Sequence, residues 1–340
     1  MRAFTALIIC LLFAPAIAQN QPIAGQSFVI GEISFFGYAG LPVDQIRSTL
    51  PIHEGGILAI QDVEKTKSGV GQAVQRTIGR PATDVVFVCC DDNGKMMVFV
   101  GLPGESSRKV RYNSAPKGSV TLPQTILDRY AQAMALGREA VQRQPGEDRS
   151  KGYSVSAYAP LRETEMSIRE FAIRNDMLIR RVLRSSARRE DRRAAAHALG
   201  YAQQSRAQVL ALVRASRDPD DEVRNNAVRA LAVLATFSRT LAAWIPARPI
   251  VAMLNSGNWK DRNKAAALMN LVSGTRDPRL LSALRSQALP SLVEIARWKD
   301  RGHAWDARMI LGRIAGIEEK SLEKLATDNV EEIISAVNKK

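Results

Sequence analysis

Histidine, cysteine and aromatic residues are scarce in this sequence. Its 340 residues hold three histidines and three cysteines, and aromatics make up 6%. His53, His197 and His303 fall in three separate stretches without ligand spacing, which excludes the usual nitrogen–sulfur metal motifs. Cys10 lies in an apolar leader, so only Cys89 and Cys90 belong to the folded part. Adjacent cysteines on a strand point to opposite faces and do not readily bridge. One core cysteine with a partly exposed neighbour is therefore expected, and no disulfide framework. Phosphate loops and nucleophile elbows are missing too. Gly69-Val70-Gly71 sits inside a helical pattern with no strand before it. No cofactor is expected.

Long hydrophobic runs are also lacking. After the leader, no stretch approaches the ~20 apolar residues of a membrane span. Residues 1–18 read as a secretory signal. Arg2 supplies the positive end, an apolar core follows, and Ala16-Ile17-Ala18 forms a cleavage box before Gln19. Ile9 stands before Cys10 where lipidation needs a small residue. The expectation is an exported chain, periplasmic or secreted, cleaved near Ala18 and soluble thereafter.

What the sequence does have is a recurring phrase: "DRRAAAHALG", "EVRNNAVRALA", "DRNKAAALMN" and "HAWDARMILG". It aligns Ala195, Ala227, Ala265 and Ala307, at spacings of 32, 38 and 42 residues. Leu199, Leu231, Met269 and Leu311 follow four positions later, and Arg192, Arg224 and Arg262 precede by three. Units of this length are helix–turn–helix pairs, which bury their apolar faces only by stacking. In "DPDDEVRNNAVRALAVLA", the Asp218-Pro219-Asp220 turn marks a helix start, and Val223, Ala227, Leu231 and Leu234 make one apolar stripe. The phrase resembles the short bacterial HEAT repeat. The resemblance implies an α-solenoid over 165–340. Asp191 and Asp261 stand where Val223 stands, and Ala304 replaces the arginine in the last copy.

Residues 28–104 follow a different rhythm. "FVIGEISFFG" alternates as a strand, two amphipathic helices follow around a "PIHEGGIL" turn, and two apolar strands flank Asp92-Asn93-Gly94. This β-α-α-β-β order, with Gly37 ending the first strand and Leu50, Ile52 and Gly55 after the first helix, resembles polypeptide-transport-associated (POTRA) domains. The resemblance implies an α+β module that takes extended polypeptide at a sheet edge. The usual acidic end of the last strand is replaced by "GLPG" at 101–104. Residues 105–164 read as a linker with one helix near 124–144, and "PGEDRSKGYSVSAYAP" at 145–160 as a loop.

The charge is divided. Residues 19–105 carry 6 basic and 9 acidic side chains, whereas 106–340 carry 41 and 25. Arg180, Arg184 and Arg188 fall at i, i+4 and i+8, and with Arg189 form a candidate surface for an anionic partner. The alternative is a solvated helical face. The tryptophans cluster late: Trp259, Trp298 and Trp305, beside Lys260, Arg262 and Lys299, are either core or a second interaction patch.

Two binding-type modules without a catalytic constellation give the leading expectation. It is an exported, non-catalytic protein–protein interaction adaptor or scaffold of the cell envelope. Its partner would be a protein, acidic or extended, with anionic lipid or another polyanion as further candidates. The first alternative is an enzyme on the repeat scaffold, since similar repeats occur in phycobilin lyases and metal hydroxylases. The hydroxylases use paired His-Glu steps, and the one His-Glu here is His53-Glu54 in the other module. The second alternative is nucleic-acid binding by the basic solenoid, which export disfavours.

Overall fold

The computed structural model describes residues 26–143 and 146–339. The expected leader and its cleavage box lie outside the described residues.

Alternation at period two makes β1 (Ser27–Phe36). Helix α1 (Val43–Thr49), a short strand β2 (Ile57–Ala59) and helix α2 (Val63–Ile78) follow. A hairpin of β3 (Asp84–Val88) and β4 (Met96–Gly101) completes the unit. The sheet order is β2-β1-β4-β3, with β1 parallel to β4 and the other pairs antiparallel. The β-α-α-β-β order is present, and β2 is a strand where the sequence suggested only a turn.

The pleat sorts the side chains. Ile33, Phe35, Val98 and Val100 pack with Ile46 of α1 and with Val70 and Val74 of α2. Their neighbours Phe36, Met97 and Phe99 face the other way, into the helical core. Burial on both faces explains why β4 reads as an unbroken apolar run. Strand β3 ends at Val88, so the alternation that argued against a bridge does not reach the cysteines. Cys89 and Cys90 are bonded to each other through sulfur, which corrects that expectation.

The rest is helical. Helix α3 (Gln124–Arg143) precedes a two-residue-stranded hairpin of β5 (Glu147–Asp148) and β6 (Val155–Ser156), where the sequence suggested a loop. Helices α4 (Ala159–Arg174), α5 (Asp176–Ser185), α6 (Arg189–Leu199), α7 (Arg206–Ala215) and α8 (Asp221–Phe237) follow. Next come α9 (Arg239–Ala242), α10 (Ala247–Met253), α11 (Trp259–Ser273) and α12 (Pro278–Ala296). The chain ends in α13 (Arg301–Ile314), α14 (Glu319–Asp328) and α15 (Val330–Asn338).

The chain is thus a small α+β module followed by a mainly α, helical-repeat solenoid. The four phrase copies form the inner helices α6, α8, α11 and α13, which pack side by side in that order. Ala195, Ala227, Ala265 and Ala307 are all fully buried, as are the four large residues that follow them. A small side chain at this point lets consecutive helices approach, and the next turn fills the space between them. Asp220 caps α8 by accepting from the Glu222 and Val223 amides, and Asn258 and Asp300 cap α11 and α13 in the same manner.

Residues 102–123 run back along the turns that precede the inner helices. The Arg108 amide donates to Asn255 O (2.8 Å), the Asn113 amide to Arg217 O (2.7 Å), and the Gly118 amide to Ser185 O (2.7 Å). The Leu122 amide then donates to Asp191 Oδ1 (2.6 Å). Helix α3 ends this return path against α4 and α6.

Candidate functional site

The repeat arginines come first, because their position in the phrase fixes where they point. Each sits one turn into an inner helix and reaches back over the turn before it. Arg192 donates to Asp218 through two nitrogens (2.8 and 3.0 Å) and to the Ser186 and Ala187 carbonyls (both 3.1 Å). Arg224 repeats this with Asp261 (2.8 and 3.0 Å) and the carbonyls of Asp218 and Pro219. Arg262 pairs with Glu294 (3.0 Å) and with Ser256 O (2.6 Å). In the fourth unit, Arg308 takes over and donates to Ala296 O and Ala326 O. These are buried struts between units. The two aspartates in Val223's place now have a purpose: Asp261 receives Arg224, and Asp191 receives the returning linker.

The tryptophan and lysine patch is mostly internal. Trp259 and Trp298 are 0% and 2% exposed, covered by the N-terminal sheet. Phe99 lies between them, with ring centroids 5.0 Å from Trp259 and 4.9 Å from Trp298. Trp298 Nε1 donates to Phe35 O (3.1 Å), and Asp84 accepts from the Trp259 amide (2.9 Å). Lys299 bridges to Glu54 of the N-terminal module (2.6 Å), and Lys260 pairs with Asp221 and Glu222. Trp305 is half-buried against the core.

Glu294 is the centre of this junction. Its carboxylate accepts from the amides of Gly37 (2.7 Å), Tyr38 (2.9 Å) and Ala39 (3.1 Å), and from the Ser106 hydroxyl. Gly37 has φ +71°, and a Cβ there would lie 2.4 Å from Leu102 O, so only glycine turns the chain onto the carboxylate. Desolvation pushes the buried Arg262 down to about 10, against the pull of Glu294. Glu294 and Trp298 together close the outer side of β1 near its C-terminal end. Among the described residues, the outer side of β3 carries no backbone pairing.

The candidate arginine surface is rearranged. Arg180 and Arg184 share α5, but that helix ends at Ser185 and Arg188 is the N-cap residue of α6. The i, i+4, i+8 stripe is therefore broken by the turn. Arg180 pairs with Asp176 in its own helix, Arg188 with Asp191 (3.1 Å) and Arg189 with Glu190 (2.9 Å). Arg181 joins Arg184 instead, together with Arg214 of α7. They line a groove of about 560 Å³ between α5, α7 and residues 113–116.

The histidines stay apart. His53 is exposed beside Glu54 O. His197 lies between Tyr130 and Tyr201 with its ring tilted against both, and burial pushes it down to about 3. His303 bonds Asp300 (2.7 Å) and touches Phe99 and Trp259. Among the described residues, no group of three histidines, cysteines or acids is placed to hold a metal ion.

A buried polar column escaped the sequence reading. The residue just before the phrase alanine is Asn226, Lys264 and Asp306 in the last three copies, 7%, 5% and 7% exposed. Desolvation brings Lys264 down to about 7 and Asp306 up to about 6, where Asn270 donates to it (2.7 Å). Beside this column, Arg229 pairs with Glu147 of the β5–β6 hairpin, which Arg149 also holds. The same hairpin gives the Ser156 amide to Glu165 (2.8 Å). A polar residue at one fixed place in three alanine-rich copies was the signal.

No family model matches this sequence, and no curated protein does. Solved structures offer distant likenesses. One is an engineered protein at 19% identity and TM-score 0.38, over 53% of this chain and 88% of its own. A designed armadillo repeat protein in complex with the peptide (KR)4 aligns at 16% identity and TM-score 0.38, over 54% of this chain and 92% of that one. A computationally designed armadillo repeat protein for modular peptide recognition aligns at 16% and 0.37, over 53% and 92%.

Proposed function

We propose that this chain is an exported, non-catalytic adaptor or scaffold of the cell envelope. Its two units would be a POTRA-like module over 28–104 and a HEAT-type solenoid over 165–340. The single observation behind this is how the buried charges are used. Arg192, Arg224 and Arg262 each serve to hold one unit to the next, and Glu294 fastens the sheet to the solenoid. Charge spent in this way makes a stiff body, and a stiff body presents preformed surfaces at little ordering cost.

Crosslinking with mass spectrometry in intact cells tests the adaptor reading. A recurrent protein partner is expected, crosslinked at defined positions of the solenoid. A purified mature chain that turns over a small substrate without any partner would overturn it. N-terminal sequencing of the chain from the envelope fraction tests export, with Gln19 expected as the first residue.

A further inference from the structure

We propose that the groove between α5 and α7 docks a short acidic segment of another protein carrying at least one large apolar side chain. This rests on the adaptor reading and gives its partner a chemistry.

The charge argument is one of contrast. Around the groove, Arg192 and Arg224 are buried and paired, and Arg180 is held by Asp176. Arg181, Arg184 and Arg214 line the same groove, are exposed, and have no ion-pair partner among the described residues. Three like charges gathered at one recess repel one another, and an incoming carboxylate relieves that repulsion. Guanidinium favours carboxylate because its fork can bond both oxygens at once.

The apolar argument is independent. Met177 is 80% exposed and Leu210 is 48% exposed, on facing sides of the groove. Leu183 and Ala215 form a buried floor beneath them. Large apolar side chains left in water beside a recess mark a place where an anchor residue inserts. The volume, about 560 Å³, lies within the ~300–1,000 Å³ usual for ligand recesses.

The recess is also preformed. Its third wall, residues 113–116, is pinned by the Asn113 amide to Arg217 O (2.7 Å) and, just beyond, by Gly118 to Ser185 O (2.7 Å). Among the described residues, no aromatic side chain lines it, so stacking on nucleobases has no platform. Its arginines point at a recess and not a flat face, which suits a peptide better than a bilayer.

The test uses the full mature chain and fluorescence anisotropy. The probes are labelled twelve-residue peptides rich in Asp and Glu, each with a single Leu, Phe or Trp. Control peptides replace the acids by amides or the anchor by Ala. Binding is expected for part of this panel, weakening with salt. It should fall roughly tenfold or more when the anchor is removed, as hot-spot anchors do. The variant R181E/R184E/R214E should lose it, and Met177→Ser should weaken it. That second variant changes one exposed side chain and keeps the test open if the first fails to fold. Three results would each overturn the proposal: no panel member binding, binding unchanged in both variants, or tighter binding of anionic vesicles or oligo-dT at these arginines. Crosslinks to a partner at β3 or along the inner helices, with no peptide bound here, would sink the groove and leave the adaptor reading standing.

Discussion

Arg224 and Asp261 join two consecutive repeats through a pair of parallel hydrogen bonds, with side chains 4% and 1% exposed. The linker seals the pair: Tyr112 lies under the guanidinium at 3.9 Å and donates its hydroxyl to Asp261. The strut is thus held between two units and a third segment.

Removing one partner should therefore cost more than removing both. Asp261→Ala would strand a buried guanidinium and is expected to cost about 3–5 kcal/mol. Replacing both with apolar residues, Arg224→Met with Asp261→Leu, should recover much of that loss. Urea denaturation of the single and double variants gives the comparison. A single variant as stable as the parent would refute the strut.

Ala227→Leu should overpack the contact between α8 and its neighbours, because Ala227 is fully buried in the alanine column. The expected loss is about 1–3 kcal/mol. An unchanged denaturation midpoint would mean that the repeats stack in another register.

The alanine column and the period were legible because packing constrains them in every copy. The β-α-α-β-β order along the chain was legible because β1 and β4 alternate or run apolar for simple reasons of burial, whereas the three-residue β2 was not. The arginine surface was misread at its far end, because the regular spacing of Arg180, Arg184 and Arg188 masked the turn at Ser185-Ser186, where serine favours a cap over a continuing helix. The tryptophans stayed open between core and patch for a different reason. An aromatic beside a basic residue looks the same in sequence whether it meets a partner or the chain's own distant sheet. Trp298 and Phe35 are 263 positions apart, and no local pattern connects them. The cysteine bond was missed because it depended on where β3 stops.

Glu165 should give the protein a pH dependence opposite to the usual carboxylate effect. Burial raises it from 4.5 to about 7, with Glu147 adding to the rise and the Ser156 amide and Arg229 opposing it. Between these values the folded state holds a proton that the unfolded state has released. Stability from this group is then full below about pH 4.5 and falls as pH rises towards 7. Glu165→Gln, neutral at every pH, should flatten that slope and be more stable relative to the parent at pH 8 than at pH 4.5. Thermal unfolding across this range checks it, and parallel curves for the two proteins would rule it out.

The sheet edge offers the last test. Three successive amides at Gly37, Tyr38 and Ala39 bond to one carboxylate, so Glu294→Ala should release all of them at once. It also leaves Arg262 buried without its carboxylate, so a loss of about 3–5 kcal/mol is expected. Hydrogen exchange separates this local effect from global weakening. Faster exchange should be concentrated at residues 37–39, while β4, bonded on both sides, stays protected. In the parent protein β3 should exchange faster than β4, because only one of its sides is paired. If an extended polypeptide adds to this sheet, β3 is the longer of the two edges without an outer partner, the other being the three-residue β2, and protection on binding should appear at 84–88. Protection appearing at 33–39 instead would require Glu294 and Trp298 to leave the edge of β1. It would overturn the view that the solenoid has closed that side of the sheet.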